Sequence, residues 1–383
     1  MSMQSTLLLV AAAWAVAILG RPVTSLYSCK DLTLRVSASA THIEVPPLSD
    51  LKTSAGVGEF IAQAPIIIQN GTPVVRSGTF DISARYCPPR MFHRGCNDRI
   101  QLLVHGATYT KEYWATGAWG DRNQSYSWSK FANEAGYATL AVDRLGNGAS
   151  SLPDPLQITQ LPLQVEVLHH IIQRAKRGEF TGQPSKVIFV GHSYGSVAGF
   201  SVAQQYPADI EKFIVTGCTS DFGNMMAATA DLQPLAASAV DPSRFSGYAH
   251  GYLTHSAETG RTSAFYTGAY DPAIPPKDYA TKETVTVGEL ISFPPLTISA
   301  YNGPVLLITG DRDQLFCGVD PPGYCGSQLK PLANSASLFP NASSFEYYGP
   351  PDTGHDINFH YSAPVTYKVA HHWLKTGVVL EGP

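Results

Sequence analysis

The segment from Lys186 to Phe200 constrains the fold more than any other part of the chain. Its first residues, Lys-Val-Ile-Phe-Val, are β-branched and aromatic and predict a short buried strand of a parallel sheet. The apolar spacing that follows predicts a helix packed on that sheet. Between the two stands Gly-His-Ser-Tyr-Gly, residues 191–195, and its glycines allow two backbone segments to pass closely. We therefore predict that Ser193 occupies a strained corner with its hydroxyl exposed, as a nucleophile requires.

Strands and helices alternate on both sides of this corner, which predicts an α/β fold with a mostly parallel central sheet flanked by helices. The predicted strands are 100–104, 138–142, 186–190, 210–216, 304–309 and 345–348, and the predicted helices include 127–135, 161–177 and 364–375. The alternation breaks between about 221 and 300. We predict that this stretch is a helical cap inserted over the carboxyl edge of the sheet. The core would then comprise residues 26–220 and 301–383, with 26–98 as extended antiparallel segments.

Composition limits the kinds of partner. The net charge is −4 and only 15% of the residues are charged, below the roughly 25% usual for soluble domains. No basic run could follow a phosphate backbone, so we expect no nucleic acid partner. A small neutral or apolar molecule is favoured. The sequence does not indicate an oligomeric state.

The N-terminus predicts entry into the secretory pathway. An uninterrupted apolar segment from Leu7 to Leu19 is too short to span a bilayer comfortably. We predict a signal peptide over residues 1–25, cleaved after Val23-Thr24-Ser25. The residues that precede the apolar segment, 1–6, contain no Lys or Arg, which is unusual for a signal peptide. A signal anchor is the alternative. The expected product is a secreted or lumenal protein with no membrane span after cleavage.

Cysteines and sequons agree with that compartment. The six cysteines form an even set, and short loops favour the pairs Cys87–Cys96 and Cys317–Cys325, which leaves Cys29–Cys218. The alternative for Cys218 is a buried thiol. Asn-x-Ser/Thr triplets predict glycosylation at Asn70, Asn123 and Asn341. No Cys-x-x-Cys or Cys/His cluster suggests a metal.

A serine hydroxyl needs an imidazole to accept its proton and a carboxylate to orient that imidazole. Two later strand ends supply candidates. Gly310 ends one strand and is followed by Asp311 and Asp313, whereas His355 follows the last strand. Asp221 follows another strand and is a third candidate for the acid.

Four segments, taken together, resemble the α/β-hydrolase superfamily across about residues 99–383. They are Leu-Val-His-Gly-Ala-Thr-Tyr at 103–109, Asp-Arg-Leu-Gly-Asn-Gly-Ala-Ser at 143–150, the Ser193 corner, and the pair Gly-Asp-Arg-Asp and Gly-His-Asp. The order serine, acid, histidine is that of the superfamily. Within it, the chain is most similar to secreted fungal hydrolases, some of which are associated with natural-product pathways.

The resemblance implies roles for individual residues. Ser193 would be the nucleophile and His355 the general base and then acid. Relatives usually place the acid three residues after the strand-ending glycine, which selects Asp313, with Asp311 and Asp221 as alternatives. The backbone N–H groups of Tyr194 and Ala107 would form the oxyanion hole, with Thr108 as the alternative to Ala107.

A serine nucleophile favours acyl transfer to water over the chemistry of relatives that use an aspartate. We therefore expect hydrolysis of a small carboxylic ester or lactone through an acyl-enzyme, with no cofactor. Two other classes stay open. One is acyltransferase, lyase or cyclase chemistry in the same cavity, and the other is a catalytically silent binding protein on the same fold.

Overall fold

The computed structural model describes residues 29–90, 96, 98–115, 125–293, 297–317 and 323–380. The predicted signal peptide, its cleavage site and the Asn123 sequon lie outside these residues and stay predictions. None of the helices within the described ranges combines the length and the apolar character needed to cross a bilayer.

An eight-stranded sheet forms the core, as the alternation predicted. The strands in the described part of the chain are β1 (Lys30–Ile43), β2 (Pro73–Cys87), β3 (Arg99–Val104), β4 (Ala138–Val142), β5 (Lys186–His192), β6 (Lys212–Thr216), β7 (Pro234–Ala236), β8 (Tyr252–His255), β9 (Val285–Thr286), β10 (Pro304–Ile308) and β11 (Ser344–Tyr348). The order in the main sheet is β1-β2-β4-β3-β5-β6-β10-β11. The β1–β2 and β2–β4 pairs are antiparallel, and the remaining neighbours are parallel.

The helices bury apolar faces against this sheet and against each other. They are α1 (Ser54–Asn70), α2 (Trp128–Glu134), α3 (Leu161–Lys176), α4 (Tyr194–Gln205), α5 (Met225–Asp231), α6 (Ala237–Val240), α7 (Pro242–Phe245), α8 (Glu258–Phe265), α9 (Ile274–Thr281), α10 (Val287–Ile291), α11 (Lys330–Asn334) and α12 (Ala363–Thr376). The α3 helix packs on β1, and α4 packs on β5. The predicted inner face of α3, with Val165, Leu168 and Ile172, is buried. Strand β5, which leads to Ser193, is thus held inside the sheet, whereas β11, which precedes His355, lies at its edge.

The insertion between β6 and β10 is not purely helical, contrary to the prediction. It contains helices α5 to α10 together with a three-stranded antiparallel sheet of order β7-β8-β9. Strands of two to four residues give too little alternation to be recognised from sequence.

The N-terminal region also departs from the prediction of extended segments, because it contains α1. Thr53 caps this helix by accepting a hydrogen bond from the amide of Gly56. Buried Val57 and Phe60 of α1 pack in one apolar cluster with cap residues Leu253 and Val287. A run of three isoleucines and an internal proline disguise the helix in the sequence, and burial against the cap compensates for the weak helix propensity.

Two of the three expected disulfide pairs are wrong. The structure pairs Cys29 with Cys87, and it leaves Cys96 and Cys218 as buried thiols. The antiparallel register sets Lys30 opposite Tyr86, so Cys29 and Cys87 adjoin each other at the end of the same ladder. Cys218 follows β6, five strand positions from β1, or about 24 Å at 4.8 Å per strand. A bond from Cys29 to Cys218 is therefore out of reach. The Cys317–Cys325 bond is present.

Candidate active site

Ser193 stands in the turn between β5 and α4 with φ of 51°, a left-handed conformation that is uncommon for a residue other than glycine. The two glycines around it are required by close contact. A Cβ at Gly195 would lie 2.1 Å from the carbonyl oxygen of Val104, and one at Gly191 would lie 2.6 Å from the carbonyl oxygen of Gly195. Because no side chain fits at the positions two residues before and two after Ser193, only glycines allow this corner, which holds Ser193 in a strained conformation.

A buried carboxylate orients the candidate base. The Nδ1 atom of His355 lies 2.8 Å from Oδ2 of Asp313. The other carboxylate oxygen of Asp313 accepts hydrogen bonds from the amides of Leu315, at 2.9 Å, and Phe316, at 3.1 Å. These three bonds fix the Asp313 carboxylate, so His355 carries its proton on Nδ1 and presents Nε2 as an acceptor.

The two alternative acids have other contacts. Asp311 accepts a hydrogen bond from the amide of Thr353, at 3.1 Å, and so holds a turn. Asp221 accepts from the amide of Gly223, at 2.9 Å. Within the described ranges neither carboxylate bonds to His355, so the geometry favours Asp313 as its partner.

The environment of His355 sets the expected pH dependence. Burial by itself lowers the pKa of the imidazole, but the charge and hydrogen bond of the Asp313 carboxylate outweigh it and raise the pKa above its usual value. Because a general base acts in its neutral form, we expect kcat/KM to fall tenfold per pH unit on the acid side, with a midpoint above about 6.5. A pH profile with p-nitrophenyl butyrate measures this midpoint. A midpoint below 6.5 would contradict the effect of Asp313.

Two backbone amides near Ser193 have no partner among the described residues. The N–H groups of Ala107 and Tyr194 donate no hydrogen bond within the part of the chain that the structure describes, and both residues line the same cavity as Ser193. The amide of Thr108, the alternative to Ala107, donates to the carbonyl oxygen of Thr284 at 3.2 Å. The available donors are therefore the two amides that the resemblance implies.

A cavity of about 130 Å³ joins these groups and lies between the core and the cap. Ser193 and His355 both line it, although Ser193 Oγ forms no hydrogen bond with any described residue. Its walls are mainly apolar. They include Val197, Met225, Leu232, Pro234, Val285, Leu290, Phe293, Leu315 and Phe316, with the aromatic rings of Tyr109, Tyr194 and Phe265.

A buried ion pair between Arg144 and Glu289, which no sequence pattern predicts, supports the loop that contains Ala107. The guanidinium of Arg144 donates to the carbonyl oxygens of His105, at 3.1 Å, and Gly106, at 3.2 Å. Both charged side chains are fully buried. Glu289 belongs to α10 of the cap, so one arginine connects the cap to the candidate oxyanion loop.

His192, next to the nucleophile, has a defined tautomer. Thr216 Oγ1 donates to the carbonyl oxygen of Gly191 at 2.8 Å, so it accepts from His192 Nδ1 at 3.1 Å. The Nε2 atom of His192 is then an acceptor, and it faces Oδ1 of Asp356 at 3.4 Å. Two acceptors repel each other, and burial raises the pKa of the Asp356 carboxyl. Neither atom has a hydrogen-bond partner among the described residues.

The same region includes the group of ligand atoms in the described ranges that could hold a metal ion. The candidate atoms of His192, His355 and Asp356 all lie within 4.8 Å of one another and are buried. The Nδ1 atom of His355 is already engaged by Asp313.

Comparisons with known proteins agree with the fold. The model of the alpha/beta hydrolase family matches residues 101–367. An esterase from Exiguobacterium antarcticum superposes with a TM-score of 0.53 at 13% identity, covering 78% of this chain and 96% of that one. Est1E from Butyrivibrio proteoclasticus, with bound ferulic acid, gives 0.47 at 16% identity over 77% and 95% of the two chains. By sequence, the chain matches none of the curated proteins compared with it. At these identities the structural likeness concerns the fold.

Proposed function

The chain belongs to the alpha/beta hydrolase family, and from this membership we propose that it is a serine hydrolase acting on a small, mostly apolar carboxylic ester or lactone. One observation carries the proposal. A strained serine, a histidine oriented by a buried carboxylate and two amides that no described residue accepts from all meet at one cavity. Each is a component that acyl transfer to water requires.

The residues act in a fixed order in the proposed reaction. Ser193 Oγ attacks the carbonyl carbon while His355 Nε2 takes its proton, and the amides of Ala107 and Tyr194 donate to the developing oxyanion. The Asp313 carboxylate stabilises the resulting imidazolium through Nδ1. His355 then protonates the leaving oxygen, which releases the alcohol and leaves an acyl-Ser193 ester. A water molecule, deprotonated by His355, releases the acid and restores the serine.

The cavity walls support an apolar substrate. Most lining side chains are aliphatic or aromatic, and the charged side chains around the site are engaged in buried pairs. An apolar acyl or alcohol group would gain burial there, at roughly 25 cal/mol per Å² removed from water. We also propose that the reaction belongs to natural-product metabolism, in which such esters and lactones arise.

We also propose that the protein is secreted or stays in a lumenal compartment. The apolar segment at residues 7–19 supports this, as do the two disulfides, since such bonds persist in oxidising compartments. Asn70 and Asn341 are exposed, so both remain candidates for glycosylation.

Labelling with a fluorophosphonate tests the nucleophile without knowledge of the substrate. The reagent reacts with serines activated by a neighbouring base, so we expect a single adduct on Ser193, located by mass spectrometry after digestion. Ser193→Ala should abolish the adduct. Ser201→Ala, in the helix α4 that follows Ser193, is the matched control and should label normally, because no described residue bonds to its buried hydroxyl.

An adduct on another residue, or none on folded protein, would contradict the proposal. Once Ser193 labels, release of p-nitrophenol from ester substrates, with identification of the free acid, separates hydrolysis from transfer to another acceptor.

A further inference from the structure

His255, at the end of the cap strand β8, brings a second polar group to the cavity wall. Its ring contacts Phe265, with centroids 5.6 Å apart, and Phe265 in turn contacts the ring of His355 at 5.2 Å. His255 therefore lines the same cavity as the catalytic groups, but the ring of Phe265 lies between it and His355.

The hydrogen bonds of His255 define which nitrogen carries its proton. Nη1 of Arg261 lies 2.9 Å from His255 Nδ1. A guanidinium has only donors, so Nδ1 must accept, and the proton of the neutral ring must be on Nε2. Burial and the charge of Arg261 hold the pKa of His255 well below its usual value, so the ring stays neutral.

Arg261 is itself immobile, so the tautomer of His255 is fixed. Its Nε and Nη2 atoms bond to the two carboxylate oxygens of Asp278 at 2.7 and 2.8 Å, and both side chains are buried. Nη1 also donates to Thr108 Oγ1 at 2.8 Å. A buried bidentate pair of this kind is held in a single geometry. The His255 ring, which accepts from Arg261, is therefore held in place as well.

The Nε2–H group of His255 has no acceptor among the described residues, and the His255 side chain lines the cavity. The other aromatic polar groups on the wall are engaged. Tyr109 donates to the Asp356 carboxyl, and Tyr194 donates to the carbonyl oxygen of Glu289. Thr229 is the remaining polar side chain outside the catalytic set. A directed donor in a largely apolar cavity is a feature that orients a ligand.

We propose that His255 is a specificity residue whose Nε2–H donates to a second oxygen acceptor of the substrate. Since the amides of Ala107 and Tyr194 already hold the reacting oxygen, the ligand group at His255 is a different one. The favoured substrates are apolar esters or lactones that also carry a ketone, ether or phenol oxygen. This inference rests on the proposed hydrolase function.

Matched ester pairs test the inference. The probes are p-nitrophenyl oxo-hexanoates with the ketone at positions 3, 4 or 5, each compared with the ester in which a methyl branch replaces the ketone oxygen. We expect the enzyme to favour at least one oxo ester about tenfold in kcat/KM, mainly through KM. In His255→Phe this ratio should fall to about one. The ratio is taken within each variant, so a general loss of activity cancels.

Two further variants separate the donor from a merely structural role. In His255→Gln, the side-chain oxygen can accept from Arg261 and the NH₂ group can donate in place of Nε2–H, so the preference should be partly restored. Thr229→Val removes the competing hydroxyl and should retain the preference. If the wild-type enzyme favours no oxo ester, or if His255→Phe keeps the preference, the inference is overturned.

Fluorophosphonate labelling of Ser193 in the same variants distinguishes this failure from failure of the hydrolase proposal. A wild-type protein that labels at Ser193 and shows no preference loses only the role of His255. A wild-type protein without the adduct loses both.

Discussion

Asp313→Asn is expected to lower kcat for p-nitrophenyl butyrate about 10⁴-fold, with little change in thermal stability. The amide could offer its NH₂ group to His355 Nδ1, which would move the imidazole proton to Nε2 and leave no acceptor for the Ser193 proton. The carboxylate that stabilises the imidazolium would be lost as well. A continuous assay of p-nitrophenol release measures kcat. The rate of fluorophosphonate labelling should fall in parallel.

Asp311→Asn is the matched control, two residues away and equally isosteric. Its side-chain oxygen can still accept from the amide of Thr353, so kcat should stay within a few-fold of the wild-type value. A large loss in Asp311→Asn, together with near-normal activity of Asp313→Asn, would transfer the role of the acid to Asp311. Similar small effects of both would remove the carboxylate–histidine pair from the mechanism.

Local sequence patterns were sufficient to predict the architecture of the core. The predicted strand 138–142 coincides with β4, and the predicted helix 161–177 differs from α3 by one residue at its end. The corner around Ser193 could be predicted because its two glycines reflect contacts made within a few residues and one neighbouring strand. In such places the chemistry of a short segment determines its conformation.

The errors fall where distant segments decide the structure. The partner of Cys87 depends on the register between β1 and β2, which loop length alone cannot give. Helix α1 is stabilised by cap residues that lie 193 to 230 positions later, and its own sequence favours a helix weakly. The contact between His192 and Asp356 joins residues that lie far apart in the sequence, and it exists only after folding.

The ion pair between Arg144 and Glu289 also joins segments that are distant in the sequence. Breaking this pair is expected to have the largest effect on stability. Arg144→Met should lower the free energy of unfolding by about 3–5 kcal/mol, because Glu289 would remain buried without its counter-charge. The carbonyl oxygens of His105 and Gly106 would also lose their donors. Urea denaturation of the oxidised protein, followed by fluorescence, measures the loss.

A second substitution shows whether the uncompensated charge is the cause. Glu289→Gln removes that charge while its amide oxygen can still accept from the amide of Thr286, as Glu289 does at 2.7 Å. The double variant Arg144→Met/Glu289→Gln should therefore be more stable than Arg144→Met alone. Arg35→Met breaks an exposed pair with Asp81 and should cost less than about 1 kcal/mol.

Equal stability of the single and double variants would assign the loss to packing and to the carbonyl hydrogen bonds. Activity separates the two roles further, because the double variant restores charge balance but not the donors to His105 and Gly106. If those donors position the amide of Ala107, the double variant should recover stability while kcat stays low. The arginine would then connect the cap to catalysis through the loop that binds the oxyanion.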